Sequence, residues 1–293
     1  MNYALFLGCT VPVRGMNYEL SARKVAERLG IKLIDINEFS CCGFPMKAVD
    51  YETAMLMSAR NLALAEKEGL NIVVLCSACG STLTEINKHL KEDEELREFV
   101  NKKLDINYNG TIDVKHFSRV LYEEIGIQRI KDFIIEPLKG FKFAPHYGCH
   151  YLKPSEAFEH FDNPEDPVSL HKLIEVTGAE AIDYTTLKNC CGGGILGIEE
   201  NVALRMSGKK WKELVNMGID GLISHCPFCS VMYEGNQKKI EKIENIEIGI
   251  PVFYYPQILG LALGIGANEL GFDLNRIKPK NFLEKLEGLK EKV

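Results

Sequence analysis

The sequence predicts an α/β protein of two pseudo-equivalent halves, each a small, mostly parallel sheet flanked by helices, with cysteine loops at facing carboxyl edges. Three observations carry this expectation. Short apolar runs alternate with longer amphipathic stretches, the pattern of parallel strands joined by crossover helices. The ten cysteines fall after the apolar runs, at the sheet edge where open α/β folds bind ligands. The cysteines also repeat. Cys9, Cys41, Cys42, Cys76 and Cys79 are spaced Cys-x31-Cys-Cys-x33-Cys-x2-Cys, and Cys149, Cys190, Cys191, Cys226 and Cys229 are spaced Cys-x40-Cys-Cys-x34-Cys-x2-Cys. Two five-cysteine patterns that agree to one residue between doublet and pair mark an internal duplication.

In the first half, Tyr3–Leu7 is an apolar run ending at Gly8-Cys9 and reads as a buried strand. Asn17 is the expected N-cap of a helix over Tyr18–Leu29, which Gly30 ends. Ile31–Ile36 alternates as a strand and delivers the chain to the Cys41-Cys42 loop. Asp50 caps a long helix, Tyr51–Glu68, that Gly69 stops. Ile72–Leu75 is a buried strand ending at Cys76, and Cys79 opens the next helix toward Leu90. A charged helix over Glu92–Leu104 follows, with Lys91–Glu95 as a solvated face. Val114–Phe117 is a strand, and Ser118 caps a short helix through Ile125.

The second half repeats this order. Lys142–Ala144 leads to Gly148-Cys149, and after a long loop Val168–Thr177 is helical. The nine extra residues of the first interval fit the insertion-like Asp162-Asn-Pro-Glu-Asp-Pro167. Ala181–Tyr184 is a strand before Cys190-Cys191, Glu199–Met217 a helix, Gly221–His225 a strand, and Phe228–Ile243 a helix. Val252–Tyr255 and Pro256–Leu263 match the last strand and helix of the first half. Asn281–Lys292 is amphipathic and has no counterpart there, so it reads equally as a terminal helix or a docking helix. The domain boundary is expected at Lys139-Gly140, dividing the chain into 1–139 and 140–293.

Composition narrows the function. The length of 293 residues suits two domains of about 140 each. Apolar residues make up 46% and charged residues 26%, and the net charge of −6 argues against a nucleic-acid partner. The longest apolar run, Ile258–Ala267, is half the length needed to cross a bilayer, and the N-terminus lacks a basic leader region. The expectation is a cytoplasmic protein with no membrane span. In a reducing cytosol, ten cysteines argue for metal or redox chemistry over structural disulfides.

Adjacent cysteines on extended backbone point to opposite faces, so each doublet needs a sharp turn to aim both sulfurs at one object. The following glycines permit it. Phe44-Pro45 follows the first doublet where Gly193-Gly194 follows the second, so the second loop is expected to be less crowded and more flexible. Helix N-termini behind Cys79 and Cys229 favour thiolates. Tetrahedral zinc takes four ligands, whereas each half offers five. Iron–sulfur clusters are held by thiolates, normally four per cluster, which leaves either a spare or an unusual cluster. On the residues alone disulfides, zinc and iron–sulfur clusters all remain open.

Both halves resemble the cysteine-rich CCG domain. Two such domains in a chain of this length resemble the catalytic B subunit of CoB–CoM heterodisulfide reductase from methanogens. Gly8-Cys-Thr-Val-Pro12, Tyr18-Glu-Leu-Ser-Ala-Arg-Lys24, Tyr147-Gly-Cys-His-Tyr-Leu-Lys-Pro154 and Cys190-Cys-Gly-Gly-Gly194 agree with that family. The resemblance implies that all ten cysteines are iron ligands of two [4Fe-4S] clusters, noncubane in kind. It further implies that the CoM–S–S–CoB disulfide of methanogenesis is cleaved between them into two thiols, one electron coming from each. It also implies a ferredoxin-like iron–sulfur C subunit and a flavin-containing A subunit as partners, which associate with a hydrogenase or formate dehydrogenase. The CCG motif is shared with iron–sulfur subunits of hydroxy-acid and fumarate oxidoreductases, which form the rival enzyme reading. A non-catalytic electron relay or zinc scaffold is the third.

Other residues have candidate roles. His146 and His150 flank Cys149 and His225 precedes Cys226, so each is weighed as a proton donor to product thiolates against a loop or cluster hydrogen-bonding role. Arg14, Lys47, Lys153 and Lys188 lie near the cysteine loops and are candidates for an anionic substrate. His116 reads as structural, and Met55 and Met57 as core. No glycine-rich phosphate loop opens a helix after a strand, so neither nucleotide nor flavin is expected on this chain.

Overall fold

The computed structural model describes residues 1–290. Among these, eight strands form two four-stranded sheets that are parallel throughout. The first contains β1 (Asn2–Phe6), β2 (Lys32–Asp35), β3 (Asn71–Val74) and β4 (Val114–His116) in the order β2-β1-β3-β4. The second contains β5 (Lys142–His146), β6 (Glu180–Ala181), β7 (Gly221–Ser224) and β8 (Val252–Tyr254) in the order β6-β5-β7-β8. The duplication seen in the cysteines is therefore a duplication of topology. In each sheet the chain steps from the first strand to one side, then back across it to the other. That reversal opens a crevice between β1 and β3, and between β5 and β7, at their carboxyl ends. Cys9 and Cys76 emerge at the first crevice, Cys149 and Cys226 at the second.

The strands lie where apolar runs allow burial on both faces. Ile72–Val74 and all of β7 are buried, as parallel strands covered by helices require. Asp50 caps the helix Tyr51–Lys67 as expected, accepting from the Thr53 backbone N–H at 3.0 Å. Such a cap contributes about 1 kcal/mol.

Several expectations are corrected. A short helix, Val11–Arg14, precedes Met16–Arg28, and Gly15 rather than Asn17 stands at the cap position. Asn17 is instead buried in the first turn and donates to Asn275 Oδ1 at 3.3 Å. The His116 ring, not Ser118, caps the helix after β4, its Nδ1 accepting from the Ser118 N–H at 3.1 Å. The strand expected over Ala181–Tyr184 shortens to Glu180–Ala181. The Glu213 carboxylate holds the N–H and hydroxyl groups of Thr185 and Thr186 and turns the chain off the sheet. The helix expected over Phe228–Ile243 is divided into Pro227–Ser230, a wide π turn at Val231–Gly235, and Gln237–Glu244. The terminal helix is Lys280–Lys290, and positions 291 and 292 of the predicted stretch lie outside the described residues. Phe282 of this helix packs on Phe141, Phe143, Phe253 and Phe272, so its apolar face is used within the chain.

The halves pack tightly. Both hydrophobic cores draw on both of them: Tyr18 and Phe117 share one with Phe253 and Tyr255, and Leu62 and Ile86 share the other with Trp211 and Tyr233. Tyr18 stacks on Tyr254 at 4.1 Å. Three donors of the first half, His116 Nε2 (2.9 Å), Ser77 Oγ (3.2 Å) and Tyr18 OH (3.4 Å), converge on the carbonyl of His225. The backbone next to Cys226 is thus held by the opposite half.

Candidate metal centre

Each doublet loop is built the same way. Gly43 (φ +89°) and Gly192 (φ +81°) are left-handed, and a Cβ on either would stand 2.6 Å from Ala54 O or 2.7 Å from Ala203 O. Only glycine fits. Ser58 Oγ donates to the Cys42 carbonyl and Ser207 Oγ to the Cys191 carbonyl, each at 2.6 Å. Backbone amides turn toward sulfur: Gly43 N–H to Cys41 Sγ at 3.5 Å, Gly192 N–H to Cys190 Sγ at 3.4 Å, and Gly193 N–H to Cys191 Sγ at 3.4 Å. Cys76 and Cys226 occupy the caps of the helices beginning Ser77 and Pro227, which sets Cys79 and Cys229 in the first turns. Gly8 (φ +65°) closes over the first pair, where a Cβ would lie 2.9 Å from Cys79 Sγ.

All ten cysteines are free thiols. Their sulfurs form a line. Neighbouring sulfurs act on one another in order, Cys41 on Cys42, Cys42 on Cys79, and Cys79 on Cys76. Cys76 then meets Cys226 across the interface, and the line continues through Cys229, Cys191 and Cys190 to Cys149. Cys9 is exposed and acts on Cys41 only through its charge. The middle of the line is buried, while Cys149 and Cys190 at its far end are exposed. Interaction with Cys41 and then Cys79 pushes Cys42 down to about 4. Cys149 and then Cys191 push Cys190 down, and Cys229 and then Cys76 hold Cys226 well down. The same neighbours push the other six, Cys41, Cys76, Cys79, Cys149, Cys191 and Cys229, up, so three thiolates stand among six thiols, and a positive partner is needed for the rest to ionise. Among the described residues no three His, Cys, Asp or Glu side chains converge in the arrangement of a single-ion site. An all-sulfur donor set with five sulfurs per half, and a glycine where a Cβ would crowd a ligand, fits iron–sulfur clusters.

The asymmetry expected between the doublets is overturned at Gly193. A Cβ there would strike Phe228 Cδ1 at 2.9 Å, so Phe228 occupies the room that the missing side chain leaves. Phe228 takes the place of Ala78 in the first half, where Phe44 supplies the bulk instead. Gly194 is open.

The histidines separate sharply. His146 is 1% exposed, neither ring nitrogen has a partner, and burial pushes it down to about 3. His225 is also sealed, with Nδ1 3.2 Å from Ser118 Oγ and burial holding it well below the usual range. His150 is only partly buried, and its ring meets Phe44, next to the opposite doublet, edge-on at 4.9 Å. Of the candidate cations, Lys47 pairs with Glu85 at 2.8 Å, and Lys153 and Lys188 share Glu165 at 3.4 and 3.2 Å. Arg14 instead lines a cavity of about 460 Å³ beside the Cys226–Cys229 helix, together with Lys239, Arg276 and Glu234. Sequence reasoning missed Lys239 and Arg276, which come from distant segments. It also missed Lys210, buried behind the second doublet. The signal for Lys210 was periodicity, since Ala203, Ser207, Lys210, Trp211 and Leu214 share the buried face of one helix.

This fold and sulfur line define a duplicated cysteine-rich protein, and comparison with known proteins agrees. The cysteine-rich domain family, CCG, matches residues 3–84 and 143–234. The B subunit of a ferredoxin/F(420)H(2)-dependent CoB-CoM heterodisulfide reductase from Methanosarcina acetivorans is 36% identical over 97% of this chain and 96% of that one. The 8-methylmenaquinol:fumarate reductase membrane anchor subunit of Wolinella succinogenes is 31% identical over 94% of this chain and 96% of that one. A hypothetical protein from Helicobacter pylori shares the fold, with TM-score 0.76 at 20% identity over 94% of this chain and 52% of that one. The chain belongs to the two-copy CCG family of heterodisulfide reductase B subunits. It is an iron–sulfur oxidoreductase subunit. Among the described residues no helix is long and apolar enough to cross a membrane.

Proposed function

We propose that this chain is the catalytic subunit that reduces the CoM–S–S–CoB heterodisulfide, consuming two electrons and two protons to yield two thiols. The single observation that carries this reading is the sulfur line, in which two five-cysteine sets on facing sheet edges meet at Cys76 and Cys226. The first set, Cys9, Cys41, Cys42, Cys76 and Cys79, holds one [4Fe-4S] cluster of noncubane kind, and the second set, Cys149, Cys190, Cys191, Cys226 and Cys229, holds the other. Bound clusters supply one-electron transfer and a Lewis-acidic iron.

The protein's own residues do the rest. His150 has solvent access and faces the opposite doublet, and burial lowers its pKa, so it relays a proton to a product thiolate without storing it, while the sealed His146 and His225 orient and insulate. Arg14 and Arg276 give the cavity cationic groups suited to sulfonate, carboxylate and phosphate, beside Glu234 and a Lys239 that pairs with Glu200 at 2.5 Å. The carboxylate pairing of Lys47, Lys153 and Lys188 supports a role in framing the loops. Electrons enter from a ferredoxin-like C subunit and a flavin-containing A subunit, coupled to a hydrogenase or formate dehydrogenase, in the cytoplasm. The domains are the CCG units 1–139 and 140–293.

The likeness to a fumarate reductase subunit favours a second reading, an electron-transferring subunit of a fumarate or hydroxy-acid enzyme. Anaerobically purified protein should contain about eight irons and eight acid-labile sulfides, four of each per cluster. It should also reduce the heterodisulfide with a viologen donor. Full iron without disulfide turnover overturns the leading reading in favour of the second, and stoichiometric zinc overturns both.

A further inference from the structure

Lys210 lies in the helix Glu200–Leu214 and is fully buried. An ammonium has three N–H donors, and all three end on neutral oxygens: Tyr184 OH at 3.1 Å, Leu187 O at 2.9 Å and Thr186 O. Its ammonium also sits 4.6 Å from the centre of the Tyr184 ring. Glu213 acts on the ammonium from the same helix, but its oxygens are taken up by Thr185 and Thr186. Burial pushes Lys210 down to about 7, against the sulfurs of Cys229, Cys191 and Cys190, which pull it back up. Tyr184 OH itself donates to Pro145 O at 2.6 Å, so the three acceptors call for three N–H groups and hold the ammonium form. The ring of His146 also faces the ammonium, which helps to keep it neutral. Burying an ammonium costs several kcal/mol unless an opposite charge compensates it. The natural counter-charge here is the second sulfur set.

The first half shows what the position does without the charge. Three residues before Lys210, Ser207 holds the Cys191 carbonyl, and three residues before Asn61, Ser58 holds the Cys42 carbonyl. Asn61 is thus the counterpart of Lys210. Asn61 Nδ2 donates to Cys41 O at 3.1 Å and its Oδ1 accepts from Ser40 N–H at 2.9 Å, pinning the loop that leads into the doublet. Lys210 pins the corresponding loop at Thr186 and Leu187. A neutral amide suffices for the structural task, so the charge of Lys210 is additional to it.

We propose that Lys210 is a redox-tuning cation that gives the second half a more positive one-electron potential than the first. This rests on the cysteines being cluster ligands. A thiolate-ligated cluster gains negative charge when it accepts an electron, and a fixed cation in a water-excluded site favours that state. The first electron from an external low-potential donor therefore resides in the second half.

The test is a mediated redox titration of the iron-loaded full chain, followed by paramagnetic resonance, with iron measured on every sample. The wild type should show two transitions. Lys210→Met should lower the upper one by at least a tenfold change in the one-electron equilibrium, about 59 mV, and leave the lower one in place. Asn61→Lys should raise the lower one in the same way, and it decides the matter if K210M does not load iron. Full iron with neither transition moved overturns the role of Lys210 and leaves the proposed function standing. A wild-type chain that binds no iron overturns both.

Discussion

Phe6 and His146 end equivalent strands, β1 and β5, and the same pairing runs through both cysteine sites. Val74 corresponds to Ser224, Leu75 to His225, Leu83 to Tyr233, and Asn61 to Lys210. The doublet loops are duplicated, although Cys9 stands off the line that Cys149 joins, and at these positions the second set has polar or charged residues where the first has apolar ones or, at Asn61, a neutral amide. Duplicated loops with divergent surroundings teach that the two sites share a ligand type and differ in electrostatics. One fold can then hold two centres of the same kind at different potentials, since burial, charge and hydrogen bonding to sulfur set those potentials.

Substitutions that break the comparison follow, from the largest effect. Cys226→Ala removes the sulfur at which the two sets meet. Iron content should fall by about half, one cluster of two, and disulfide reduction should drop to background. Cys9→Ala removes the exposed sulfur outside the line and should keep the larger share of iron. Equal iron loss in the two variants would show that the line has no bearing on loading.

Gly192→Ala and Gly43→Ala should each cost at least about 1–2 kcal/mol from the left-handed backbone alone, and more from the approach to Ala203 O or Ala54 O. Chemical denaturation measures this. Gly194→Ala, where a Cβ meets open space, should stay within about 0.5 kcal/mol of wild type. Next, Asn61→Ala strands the Ser40 N–H and the Cys41 carbonyl and should cost about 1–3 kcal/mol. A cost near zero would mean that water replaces the amide and that the loop does not depend on it.

The smallest effect is on pH dependence. Burial holds His146 at about 3, against 6.5 in solvent, so between those values the unfolded chain binds a proton that the folded chain refuses. Stability from this residue is complete above about pH 6.5 and is lost as pH falls toward 3. His146→Phe installs the first half's residue and should flatten part of that acid limb in iron-free protein. Denaturation midpoints at about pH 5 and pH 7 should lie closer together than in wild type. His116, pushed down to about 4 by burial, retains its own share. An unchanged gap between the midpoints would show that His146 takes up its proton in the folded state.

Much of the architecture was legible in the sequence because it rests on local patterns. Apolar runs placed the strands, Asp50 announced its helix, and the doublets announced their turns. What escaped detection depends on long-range contacts. The early end of β6 is dictated by Glu213, some thirty residues downstream. The exchange of bulk between Phe44 and Phe228 requires knowing that the doublet loop faces the Cys-x-x-Cys helix. His225 was legible as a residue beside Cys226, but not as the carbonyl on which the first half converges. Arg276 reaches the cavity of Arg14 from the far end of the chain, and no spacing rule links them. Lys210 was hidden by its company in Gly208-Lys-Lys-Trp-Lys212, which reads as a solvated basic stretch.

An anomalous iron map of anaerobically prepared crystals tests the central claim most directly. The account predicts two separate groups of four irons, one on each five-cysteine set, on either side of the junction of Cys76 and Cys226. A single group shared between the halves, or one set of five cysteines without iron, would contradict it.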